Sequence, residues 1–151
     1  MQKRRFYTAG VPKTLYVVAT PIGNLEDLTK RAARVLAEVD VIAAENTRVA
    51  AKLLRHLGVR KSCLSYNDRN KARTTARLVR ELDAGADVAL VTDAGTPGIS
   101  DPGQDLVAAA LQAGATVIPI PGPSAVTALL SVAGVRTRTA RVLGFLPRKR
   151  G

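Results

Sequence analysis

The sequence has little that could cross-link or ligate. One cysteine, Cys63, excludes an internal disulfide, and with His56 as the single histidine a Cys/His zinc site is excluded as well. Aromatic residues make up 3% of the 151 positions and tryptophan is absent, which argues against a stacking platform for single-stranded nucleic acid. No apolar run follows the basic start at Met1–Arg5, so nothing there reads as a signal peptide. The stretch Leu106–Val135 has no charged residue, yet Gly114, Pro119, Pro121, Gly122 and Pro123 divide it. It therefore reads as buried pieces of a soluble core rather than a membrane span, and the expected location is cytoplasmic. There is neither a G-x-G-x-x-G fingerprint nor a phosphate-binding P-loop.

What is present is charge of one sign, unevenly placed. Residues 1–80 carry seventeen Lys/Arg against six Asp/Glu, residues 81–135 carry six acids and no base, and residues 136–151 carry six bases and no acid. The net charge of +11 points to a polyanionic partner for the basic portions, although a solvated basic surface would look the same. Apolar content of 46% suits one globular domain with a core of its own.

Short apolar runs alternate with helical patterns. Strands are expected at 15–19, 41–44, 63–66, 88–92 and 116–120. Helices are expected at 28–39 with Asp27 as N-cap, at 47–57 capped by Thr47 and closed by Gly58, and at 70–82 with Ala72, Ala76, Val79 and Leu82 inward. Two more are expected, at 102–113 and 124–133, and 140–146 reads as a last short strand. Five β-α repeats with uniformly apolar strands predict an α/β fold: a parallel five-stranded sheet with helices on both faces. Ligands of such sheets sit beyond the carboxyl ends of the strands, which directs attention to the loops after strands one, two, four and five.

The loop after strand four, Asp93–Gly103, packs three glycines, two prolines and two acids into eleven residues. Its backbone groups suit an adenine edge and a ribose, and its acidity suits a cationic sulfonium better than a phosphate. Asp101 reads equally well as an N-cap. The turn Thr20–Asp27 and the corner Pro121–Ala125 have the same character, with Ser124 a cap before it is anything else. Glu45-Asn46-Thr47-Arg48 places an acid, an amide, a hydroxyl and a guanidinium at a strand end, suited to substrate or simply to capping.

Together and in this order, ATPIGNLEDLT at 19–29, ENTR at 45–48, TDAGTPGISDPG at 92–103, PGPSA at 121–125 and GFLPRK at 144–149 resemble the tetrapyrrole methylase superfamily. More narrowly, they resemble its bacterial branch that methylates a cytidine ribose 2′-oxygen in small-subunit (16S) ribosomal RNA. The resemblance implies a Rossmann-like amino-terminal domain at 14–146, after a basic tail at 1–13, with 147–151 opening a linker to a second domain. It also implies S-adenosyl-L-methionine as cofactor, a homodimer, and no metal. By position, Pro21, Gly23 and Asn24, then Asp93, Gly95, Thr96, Pro97, Gly98, Ile99 and Asp101, then Gly122, Ser124 and Ala125 would hold the cofactor. Asn46, Thr47, Arg48, Arg69 and Arg73 would face RNA. Glu45 and Asp93 are the candidates to accept a hydroxyl proton, and the isolated chain is expected to be inactive. Asn46 stands where that branch commonly has Asp, and Asn67-Asp68-Arg69 where His-Glu-His is usual. Methylation of a tetrapyrrole, or RNA binding without catalysis, are the competing expectations.

Overall fold

The computed structural model describes residues 13–144. Five strands, β1 (Thr14–Val18), β2 (Val41–Ala44), β3 (Cys63–Ser65), β4 (Val88–Val91) and β5 (Thr116–Ile120), pair in parallel in the order β3-β2-β4-β1-β5. Between them run α1 (Lys30–Glu38), α2 (Thr47–His56), α3 (Lys71–Asp83) and α4 (Gln104–Gln112), and α5 (Ala125–Val132) follows β5. The expected sheet is present, with helices on both of its faces. None of the described helices is long and apolar enough to cross a membrane.

The two-residue period of a strand sends neighbouring side chains to opposite faces. Ile42, Ala44, Ala89 and Val91 therefore join Val35, Leu36, Leu53 and Leu54 in the core beneath α1 and α2. Ala43, Val88 and Leu90 join Leu78, Leu82, Leu106 and Ala110 beneath α3 and α4. All four residues of β4 are buried because β4 lies between β2 and β1 with helices above and below. Leu78 and Leu82, both essentially inaccessible, together stabilise the fold by roughly 3–6 kcal/mol relative to exposure.

Several local expectations are corrected. Thr29, not Asp27, caps α1: its hydroxyl accepts from the Ala32 N–H at 3.1 Å, while Asp27 closes a short 3₁₀ turn capped by Asn24. Asn46, not Thr47, caps α2 through its side-chain oxygen on the Arg48 N–H at 3.0 Å. The inward stripe of α3 is Thr74, Leu78 and Leu82, whereas Ala72 and Ala76 are exposed. Leucine at a four-residue spacing reaches a core that alanine methyls cannot, so the larger side chains set the rotation of the helix.

The fourth helix opens after Gly103, so neither does Asp101 cap it nor does Pro102 begin it. Gly103 sits at φ 153°, and a Cβ there would lie 2.9 Å from Leu90 Cδ2. Only glycine lets the chain enter α4 so close to β4. Ser124 holds the N-cap position of α5 but makes no side-chain capping bond. That helix has no buried residue, contrary to the expectation of a buried element, because both core clusters end at β5 and the helices α1–α4. Residues 140–144 form no strand, and 145–146 lie outside the described residues.

Candidate functional site

Strand order decides where a crevice opens. From β1 the chain crosses on the α1 face to β2, and from β4 it crosses on the α4 face to β5. Since β1 and β4 are neighbours, their carboxyl ends send loops in opposite directions and leave a gap between them. The two loops are tied across that gap. Thr20 and Gly95 exchange backbone hydrogen bonds of 2.9 and 3.0 Å, and the buried Thr20 hydroxyl donates to the Thr92 carbonyl at 3.1 Å. The loop after β2 joins them through Glu45, whose carboxylate accepts from the Asp93 N–H at 3.1 Å. The loop after β5 closes in as well: a Cβ on Gly122 would stand 3.0 Å from Ala19 Cβ, so glycine permits the approach.

The result is one cleft of about 1000 Å³ at the carboxyl edge of the sheet. Of the residues expected at the cofactor, Asp93, Gly95, Thr96, Ile99, Asp101, Ser124 and Ala125 line it, as does Glu45. Pro21, Gly23, Asn24, Pro97, Gly98 and Gly122 do not line it. Asn24 is engaged in the 3₁₀ turn, where its side-chain oxygen accepts from the Glu26 N–H at 3.0 Å. Gly98 offers its carbonyl to the Gln104 side chain at 3.0 Å. Asn46, Thr47, Arg48, Arg69 and Arg73 also lie outside the cleft lining, at the starts of α2 and α3 or just before them.

Sequence reasoning missed Ile22, Asp68, Lys71 and Asp105, all of which line the cleft. Lys71 donates to Asp105 at 3.1 Å and to Asp68 at 3.3 Å, joining the start of α3 to the start of α4. A signal was available: both helices follow strands of one parallel sheet, so both must begin at its carboxyl edge. Ser100, also missed, has φ 63° and is the one non-glycine residue in the left-handed region among the described residues.

The electrostatics of the cleft are one-sided. Glu45, Asp93 and Asp101 form no ion pair among the described residues, in a chain of 23 bases. Burial pushes the Glu45 carboxyl above the usual carboxylate range; the Asp93 N–H opposes this, and the charges of Asp93, Asp101 and Asp68 reinforce it. Burial also raises Asp101. The Thr92 hydroxyl beside it opposes the shift without reaching hydrogen-bond geometry, and the Asp93 charge adds to it. Such a site gains from a cationic ligand, which would relieve the repulsion among the carboxylates. Its volume suits a nucleoside-sized molecule, and the loops around it expose backbone donors and acceptors.

Comparison with known proteins agrees with this geometry. The family model for tetrapyrrole (corrin/porphyrin) methylases matches residues 14–149. A protein of Halalkalibacterium halodurans named ribosomal RNA small subunit methyltransferase I is 50% identical over 137 residues, which cover 91% of this chain and 47% of that protein. Its namesake from Synechocystis is 53% identical over 135 residues, covering 89% and 48%. The chain thus spans about half the length of the curated relatives it matches. Among solved structures, a uroporphyrin-III-C-methyltransferase of Thermus thermophilus superposes with a TM-score of 0.60 at 28% identity, over 80% of this chain and 51% of the other. A diphthine synthase, at 16% identity and a TM-score of 0.62 over 82% and 49%, shares the fold.

Proposed function

The chain belongs to the tetrapyrrole (corrin/porphyrin) methylase family, and on that premise we propose that it forms half of an S-adenosyl-L-methionine-dependent enzyme that methylates a cytidine ribose 2′-oxygen in 16S ribosomal RNA. One observation carries the reading: four loops meet at the β1/β4 crevice around three unpaired carboxylates, in a chain about 50% identical to proteins named for methylating small-subunit ribosomal RNA. Likeness to a uroporphyrin methyltransferase favours a tetrapyrrole substrate more weakly, at 28% identity.

The residues present fit the cofactor. Asp93, Gly95, Thr96, Ile99 and Asp101 would hold it from one side of the cleft, Ser124 and Ala125 from the other. When bound, S-adenosylmethionine supplies a methyl group already activated by its sulfonium. The protein's own task is then alignment, together with an acceptor for the proton of a weakly acidic hydroxyl. Glu45 suits that second task, since burial brings its carboxyl closer to neutrality than an ordinary glutamate. The Asp93 N–H fixes one of its oxygens. Arg48, Arg69 and Arg73 would hold phosphates beside the cleft, with Asn46 and Thr47 shaping the start of α2. The whole protein would act in the cytoplasm as a homodimer, its second domain covering the cleft, and residues 13–144 alone would not turn over.

Nuclease digestion and mass spectrometry of 16S ribosomal RNA test this, comparing cells with and without the intact gene. Loss of one 2′-O-methylcytidine is the expected result. An unchanged set of ribose methylations would overturn the assignment.

A further inference from the structure

The chain's charge divides along the sheet. At one edge, β3 is preceded by α2 and followed by α3, both rich in bases; at the other, β5 leads into α5, which has no charge at all. The basic helices differ in what their bases do. Arg34 of α1 pairs with Glu38 at 2.7 Å. On α3, Lys71 is held by Asp68 and Asp105, and Arg77 lies 3.9 Å from Glu81. By contrast, α2 contains no acid, and none of its bases forms an ion pair among the described residues.

Arg48, Lys52 and Arg55 of α2 are exposed and spaced i, i+4, i+7, on the side opposite the buried Ala50, Leu53 and Leu54. Like charges at this spacing weaken a helix, and a cation in the first turn opposes the helix dipole. Arg55 near the carboxyl end complements that dipole, but this does not account for Arg48 or Lys52. The row continues past the helix. Arg55 and Arg60 line a hollow of about 450 Å³ with Leu54 and Val59, and no acid lines it. Lys61, also at this hollow, turns to the end of α1, where it donates to the carbonyls of Ala37 and Val39. The other end of the row begins three residues from Glu45, in the cleft.

We infer that the outer face of α2, continued by Arg60, is a second docking surface for RNA: Lys52, Arg55 and Arg60 grip the sugar-phosphate backbone away from the reacting ribose. The inference rests on the RNA reading above. Polyanion recognition of this kind is insensitive to sequence and falls with salt, because each phosphate contact releases condensed counterions. Lys52, Arg55 and Arg60 touch neither the cleft nor its loops, so they contribute affinity without chemistry.

The test is binding of a short single-stranded RNA oligonucleotide, followed by fluorescence anisotropy across a salt series. Three forms are compared: the unaltered chain, a Lys52→Gln/Arg55→Gln/Arg60→Gln variant, and a charge-matched control, Arg34→Gln/Arg77→Gln/Arg80→Gln. The inference predicts that the α2 variant reduces the slope of log K against log salt by about 2, and each single substitution by about 0.7. Affinity at low salt should fall tenfold or more, with S-adenosylmethionine binding unchanged and the control close to the unaltered chain. Equal losses in the variant and the control would mean diffuse net charge and overturn the inference alone, as would an unchanged slope. No RNA binding by the unaltered chain would overturn the RNA reading itself, and this inference with it.

Discussion

Replacing Gly103 by alanine tests how the cleft is built, because this residue sets the point at which α4 leaves the loop after β4. Two costs are separable. A side chain at φ 153° occupies a sparsely populated backbone region, at about 1–3 kcal/mol. Its Cβ would also stand 2.9 Å from Leu90 Cδ2, and Leu90 is 1% exposed in a packed core, so relief requires a neighbour to move, at about 1–3 kcal/mol. The expected loss is roughly 2–5 kcal/mol, a large part of the stability of an ordinary domain. Urea denaturation followed by circular dichroism should show the midpoint falling by about 1–2 M. Gly58→Ala separates the two costs: Gly58 has φ 67° with nothing within 4 Å of its Cβ, so it should lose only the backbone share, about 1–2 kcal/mol. In a Leu90→Val background, itself costing about 1–2 kcal/mol, Gly103→Ala should lose less than in the native background. Equal effects of Gly103→Ala and Gly58→Ala, in both backgrounds, would refute the contact.

The remaining predictions concern the cap, the charge and the ligand. Thr29→Ala should destabilise the chain by about 1 kcal/mol in the same assay, and Asp27→Ala by less than about 0.5 kcal/mol; the reverse order would restore Asp27 as the cap. Burial raises the Glu45 and Asp101 carboxyls, so the folded chain retains protons that the unfolded chain has released. Their share of stability is greatest below the ordinary carboxyl range and is lost as pH rises through the raised values. Glu45→Gln should therefore gain on the native chain in melting temperature as pH climbs from about 4; a constant difference would contradict the shift. Calorimetry should show S-adenosylmethionine preferred over the uncharged thioether S-adenosylhomocysteine, and Asp101→Asn should narrow that preference. An unaltered ratio would mean that the carboxylates do not sense the sulfonium.

The sheet and its five crossovers were legible because apolar runs of four or five residues, separated by amphipathic segments, have few other solutions. The loops of the site were legible through their glycine and proline content. Caps were less so: Asp27 and Thr47 were expected where Thr29 and Asn46 serve, because candidate capping side chains stand close together at both helix starts. Periodicity alone left the rotation of α3 open between an alanine stripe and the Thr74-Leu78-Leu82 stripe that volume selects. Contacts between elements distant in sequence were the hardest to see. The Lys71–Asp105 pair spans thirty-four positions, and its recognition requires knowing that α3 and α4 lie side by side. The exposure of α5 has a similar cause: an apolar sequence does not reveal whether anything in its own chain covers it.

The central claim is that the crevice between the carboxyl ends of β1 and β4 seats S-adenosylmethionine. Amide chemical shifts of the isotope-labelled chain, recorded while S-adenosylmethionine is added, test it most directly. Shifts concentrated at Glu45, Asp93–Asp101, Ser124 and Ala125 are predicted, with the outer face of α2 unaffected. No shifts at millimolar ligand, or shifts confined to residues away from this edge of the sheet, would contradict it.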